Sequence, residues 1–114
     1  MDVVHRDARR ASLAGERERL IREIGEAIVA PSQMTYGSQA AAASQVFEQQ
    51  RDLALRDQAS ARLRLVQEAL GRLDDATYGA CLQCARSIPL ARLDALPWAA
   101  LCVGCQAARD RGRR

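Results

Sequence analysis

Four cysteines, all within residues 81 to 105, limit what this 114-residue chain can fold into more than anything else in it. They form two pairs, Cys81-Leu82-Gln83-Cys84 and Cys102-Val103-Gly104-Cys105, with seventeen residues between them. A Cys-x2-Cys turn sets two sulfurs on one side of a tight loop. Two such knuckles facing each other supply the four soft thiolates that a tetrahedral Zn²⁺ prefers. With every vertex taken by protein, no position is left for water or substrate, so the expected metal is one structural Zn²⁺ on Cys81, Cys84, Cys102 and Cys105. Disulfides compete with this reading and need an oxidising compartment, which nothing in the sequence indicates. An iron-sulfur cluster or a dithiol redox switch is a further alternative.

A chain of this length makes one domain or two small modules and has limited capacity to bury a core, a shortage that metal binding offsets. No apolar run reaches the roughly 20 residues of a membrane span, and Met1-Asp2-Val3-Val4-His5-Arg6 lacks a signal-peptide pattern. The expectation is a cytoplasmic protein with no membrane contact. All 17 basic residues are arginine. They are spread unevenly: residues 1–30 hold six Arg and six acids, residues 46–77 five Arg and six acids, residues 78–114 six Arg and two Asp. A basic finger can touch nucleic acid. However, aromatic residues make up only 4% of the chain, and Arg109, Arg111, Arg113 and Arg114 read as a solvated tail, which argues against direct nucleic-acid binding.

Upstream of the cysteines the apolar residues recur at helical steps. From about Ala8 to Ala30, Leu13, Leu20, Ile24, Ala27 and Ile28 form one stripe. Glu18/Arg22, Arg19/Glu23 and Arg22/Glu26, each four apart, mark a solvated face. Pro31 ends the helix. Residues 31–45 carry no charge and connect to a second helix that starts in the alanine run, with Ser38 or Ser44 as N-cap. Its stripe of Leu55, Ala59, Leu63, Val66, Leu70 and Leu73 extends back to Phe47 and stops before Asp74-Asp75. Two striped helices joined by a short connection predict an all-α fold: a long antiparallel two-helix coiled-coil hairpin over 1–77 with its tip loop at about 31–45. A four-cysteine finger with a short C-terminal helix and basic tail then occupies 78–114. The chain lacks paired carboxylates in a pocket, a Gly-rich phosphate loop and a Ser/His or Cys/His set, so no enzyme is predicted.

Residues around the cysteines add a resemblance. Tyr78-Gly79-Ala80-Cys81-Leu82-Gln83-Cys84, Ile88-Pro89, Arg92-Leu93-Asp94-Ala95-Leu96-Pro97 and Leu101-Cys102-Val103-Gly104-Cys105-Gln106 together resemble the zinc finger of the DksA/TraR family of bacterial RNA polymerase regulators. Ala85 departs from it, since many relatives have Gly after the second cysteine. Each flanking residue also has a packing role: Gly79 a turn, Pro89 and Pro97 a confined linker, and Leu93, Trp98 and Leu101 a cover over the metal. The resemblance implies a transcription regulator whose coiled coil enters the RNA polymerase secondary channel with its tip near the active site. The family's acidic tip pattern, Asp-x-x-Asp-x-Ala, falls on Ser38, Ala41 and Ala43, where only the alanine is kept. An uncharged tip cannot act on Mg²⁺ or on nearby cations through charge. Basic positions that face the polymerase rim and the alarmone ppGpp fall at about Gln58, Ala61 and Leu65; Arg56, Arg62 and Arg64 lie close by and are the possible rim contacts, and a ppGpp response is not carried over. The alternative reading is a zinc-stabilised adaptor that binds another protein or DNA through its finger.

Overall fold

The computed structural model describes residues 3–29 and 39–113, with side chains over 5–26 and 42–113. Four helices occur among them: α1 (Val3–Val29), α2 (Gln39–Asp74), α3 (Leu90–Ala95) and α4 (Val103–Gly112). The described residues contain no strand, only an isolated antiparallel bridge between Ala80 and Ser87. None of their helices is long and apolar enough to cross a membrane. The fold is all-α, two long helices followed by the cysteine finger and a short C-terminal helix.

α1 starts at Val3, earlier than the predicted Ala8, although Val3, Val4 and His5 are modest helix formers. Tertiary docking carries it: Arg9 and Arg10 in these first turns bond to the other end of the chain, and most helix stability in proteins comes from such packing. α2 starts at Gln39, so the second half of the uncharged stretch assigned to the tip loop, residues 39–45, is helix and not loop. Alanine has the highest helix propensity of any residue, and four in a row decide this locally. Ser38, the proposed cap, lies outside the described residues.

The chain divides into two compact units. The first joins Met1–Arg17 to Leu65–Arg114. Within it Leu13 of α1 and Val66, Ala69 and Leu73 of α2 are buried, and Arg10 Nη1 meets Asp74 Oδ1 at 2.6 Å, so the start of α1 lies beside the end of α2. A second cluster of Cys81, Ile88, Leu93, Ala99 and Leu101, with Tyr78, Cys102 and Cys105 packed on it, forms the finger core. Each fully buried Leu contributes about 1.5–3 kcal/mol. α3, which the sequence reading did not anticipate, places Leu93 there, and it begins at Leu90, directly after Pro89, the extended residue that precedes its first turn.

The second unit is Glu18–Arg64. Leu20 is buried in it, Ile24, Ala59 and Leu63 are half-buried, and Arg19 pairs with Glu23 along α1 as the spacing predicts. The α2 stripe is not covered to its full predicted length. Leu55 is 55% exposed and Phe47 73% exposed, because a helix with a single neighbour hides only the narrow seam that faces it. Ile28 and Ala27 fall outside the described side chains.

At its C-terminus α2 closes with paired bonds, from Thr77 N to Arg72 O (2.9 Å) and from Ala76 N to Leu73 O (3.3 Å), that place Ala76 in the left-handed region at φ 61°. Glycine is the usual residue at such a position. Ala85, after the first knuckle, sits at φ 65°. Ala76→Gly and Ala85→Gly are therefore each expected to raise stability by about 0.5–1 kcal/mol, the relief of Cβ strain exceeding the added chain entropy. Urea midpoints of the two variants check this, and a lower midpoint in both contradicts it.

Candidate metal centre

The first knuckle is built from backbone bonds. Cys81 N donates to Arg86 O (2.8 Å) and Ala85 N to Cys81 O (2.9 Å), which closes the loop with Ala85 in its left-handed conformation. Gly79, at φ 89°, turns the chain so that its carbonyl accepts from Ile88 N at 2.7 Å. The second knuckle is the entry to α4: Cys102 is its N-cap and accepts from Cys105 N at 3.5 Å through Sγ. Leu82 N donating to Ala100 O (2.9 Å) ties the two knuckles together.

This arrangement brings the sulfurs of Cys81, Cys84, Cys102 and Cys105 within 4.8 Å of one another. All four are free of disulfide bonds. Zn–S bonds of about 2.3 Å in a tetrahedron put sulfurs about 3.8 Å apart. Cys84 Sγ and Cys102 Sγ are 3.9 Å apart, so the donor set has the size and chemistry of a four-thiolate zinc site. The backbone prepares it. The Cys102 amide above all, followed by those of Cys84 and Gln83, pulls the Cys81 thiol down to about 6. Cys102 is lowered mainly by the Cys105 amide, whereas Cys105, whose thiol bonds to Cys102, is pushed up to about 12. Four adjacent thiolates repel one another, and a divalent cation removes that penalty.

Side chains outside the knuckles hold the segment that joins them. Tyr78 Oη donates to Pro97 O at 2.8 Å, and burial raises the Tyr78 hydroxyl above its ordinary value, which keeps it a donor. Arg92 Nε donates to Leu101 O at 3.0 Å. Arg9 Nη1 donates to Leu93 O at 3.1 Å while Nη2 pairs with Asp94. Arg72, 9% exposed, donates through Nη2 to Trp98 O (3.3 Å) and Ala99 O (3.5 Å). Burial lowers its guanidinium, with Glu68 and then Tyr78 acting against that shift. The sequence reading missed Arg72. An arginine beside Asp74-Asp75 at a helix end looks like surface, and only the fold puts two carbonyls from residues 98 and 99 against it. Arg109 and Arg111, read as tail, are exposed residues of α4.

The remaining predicted site residues all lie away from this cluster in sequence. Ser38 is outside the described residues; Ala41 is on α2 with its side chain outside them; Ala43 is exposed on α2. Arg56 is half-buried, and Arg62 and Arg64 are exposed, on the same helix.

Residues 76–111 match the prokaryotic dksA/traR C4-type zinc finger. An uncharacterized protein of Aquifex aeolicus is 42% identical over 45 residues, 40% of this chain and 31% of that protein. The RNA polymerase-binding transcription factor DksA of Buchnera aphidicola is 36% identical over 64 residues, 56% of this chain and 42% of the relative. The matched stretches thus span less than half the length of either curated relative. Among solved structures, that of transcription factor DksA2 from Pseudomonas aeruginosa superposes with a TM-score of 0.80 and 29% identity, covering 100% of this chain and 90% of that one.

Proposed function

We propose, from the premise that this chain belongs by its finger to the DksA/TraR family, that it is a transcription regulator that binds RNA polymerase through the secondary channel. One observation carries the reading: the whole chain, helices and finger alike, shares the architecture of the transcription factor DksA2. The polymerase-binding relative of Buchnera supports it. Residues 1–77 act as the probing hairpin and 78–114 as the finger, held by one structural Zn²⁺ on Cys81, Cys84, Cys102 and Cys105. The reading is of a regulator and not of an enzyme.

Ser38, Ala41 and Ala43 form the end of the hairpin that approaches the polymerase active site. None carries a charge, so the protein acts by occupying the channel and competing with other factors for it, with weak direct effects on catalysis. Arg56, Arg62 and Arg64 on α2 are the contacts to the channel rim. Synergy with ppGpp is not part of this reading, because the aligned positions Gln58, Ala61 and Leu65 are not basic.

The test is co-purification with cognate RNA polymerase core enzyme. The intact protein is expected to bind at micromolar concentration, and deletion of residues 31–45 or the triple change of Arg56, Arg62 and Arg64 to alanine is expected to weaken binding about tenfold or more. Ser38→Asp with Ala41→Asp should leave binding in place and shorten open-complex lifetime. No binding at micromolar concentration sinks the proposal.

A further inference from the structure

The short helix α3 is fastened on two sides. Toward the finger, Leu93 is fully buried in the cluster that contains Cys81, with Cys102 and Cys105 packed against it. Toward the start of the chain, the Leu93 carbonyl accepts from Arg9 Nη1 at 3.1 Å, and the Asp94 carboxylate accepts from Arg9 Nη2. A single residue, Leu93, thus joins the packing around the thiols to α1. The Arg9 side chain that reaches it is only 15% exposed.

At six residues α3 cannot hold a helix unaided in water. Its shape depends on the cluster beneath it, and the cluster depends on the cysteines being gathered by a cation, since thiolates this close repel one another. Both acceptors of Arg9 are therefore in place only while the finger is ordered. Arg9 in turn steadies the opening of α1, where Val3, Val4 and His5 are modest helix formers. Its neighbour Arg10 grips a different element, pairing with Asp74 of α2 at 2.6 Å, and Leu13 further along is fully buried. Two adjacent arginines of one helix thus have separate acidic partners, one in the finger and one outside it.

We infer that zinc occupancy of the finger is linked through Leu93 and Arg9 to the order of the first turns of α1. The loaded finger clasps those turns, and loss of the metal frees them while the remainder of α1 stays helical. Linkage is reciprocal, so the clasp also retains the metal: whatever zinc adds to the docking of α1, the docked α1 adds to zinc affinity. The inference rests on the zinc reading of the four cysteines and is independent of the polymerase reading.

The experiment is hydrogen exchange by mass spectrometry on the full-length protein, zinc-loaded and chelator-stripped, with zinc affinity read by competition against a chromogenic chelator. Stripping is expected to speed exchange over residues 7–12 about tenfold or more, together with the finger, and to leave residues 18–26 and 45–64 unchanged. In the loaded protein Arg9→Ala should speed exchange over 7–12 in the same way and weaken zinc about fivefold or more. Asp94→Ala should act in the same direction, and the double variant should lose little more than Arg9→Ala alone. Arg10→Ala, which removes a contact to α2, should keep zinc affinity within about twofold of the wild type. Exchange over 7–12 that ignores stripping, or an Arg9→Ala zinc affinity no weaker than that of Arg10→Ala, overturns this inference and leaves the zinc reading standing. Deprotection that spreads through 45–64 on stripping overturns it too, as collapse of the whole fold. A chain that takes up no zinc in native mass spectrometry overturns both readings together.

Discussion

Stripped of its metal by a chelator, the protein is expected to lose ordered structure through the finger, and its thermal transition should fall sharply or split. A structural zinc site contributes on the order of 10 kcal/mol to folding, and the core it organises here, Cys81, Ile88, Leu93, Ala99 and Leu101, is too small to stand alone. Two serine variants separate metal binding from packing. Cys81 is 3% exposed and belongs to that core, whereas Cys84 is exposed. If the metal holds the finger, Cys84→Ser destabilises nearly as much as Cys81→Ser. If packing alone does, Cys84→Ser is close to neutral. Native mass spectrometry should find one Zn²⁺ per wild-type chain and none on either variant. Protons must leave the thiols for the ion to bind, so zinc affinity should fall as pH is lowered. Two disulfides in place of the ion, or a melting curve indifferent to chelation, contradict the assignment.

The second large effect concerns Arg72. Replacing it with alanine is expected to cost about 2–4 kcal/mol, read as a drop in the denaturant midpoint at unchanged slope. Its guanidinium, buried at the end of α2, answers two carbonyls of the segment between the knuckles, and its own carbonyl accepts from Thr77 N and from Tyr78 N at 3.1 Å. Truncation empties the space filled by the aliphatic stem and leaves Trp98 O and Ala99 O without this donor. Arg72→Met restores the stem without the donors and should recover only part of the loss. Because the same side chain braces the strip between Pro97 and Cys102, Arg72→Ala should also release zinc faster to a competing chelator. A loss below about 0.5 kcal/mol would mean that the strap contributes little.

The cysteine cluster was legible in the sequence because its chemistry is local: two Cys-x2-Cys knuckles need only a turn each, and the residues around them carry the resemblance to the zinc-finger model that matches there. The helices were legible for a similar reason. Leu13, Leu20, Val66 and Leu73 recur at helical steps and are buried. Ala69 is buried as well and was passed over, since a methyl group gives little hydropathy signal and its place is set by how closely two backbones approach. Phe47 and Leu55 show the opposite error. They keep the period but remain exposed, and the period of one helix cannot report how much neighbouring surface is present to cover it. Ala76 and Ala85 adopt left-handed backbone that their identity disfavours. Only at Ala85 was there a hint, the glycine that relatives carry. Arg72 and Arg9 gave no hint, because their partners are carbonyls of distant segments.

The unit that contains the finger draws on both extremes of the chain, and Arg9 bonds to residues 84 and 85 positions further on. During synthesis the first helix can meet the end of α2 as soon as that has left the ribosome, but Arg9 finds its own partners only once Leu93 and Asp94 have followed. Contacts of such long separation are slow to form, and a nascent chain stalled before Leu93 would show an unclaimed arginine face to whatever chaperone or surface lay nearby.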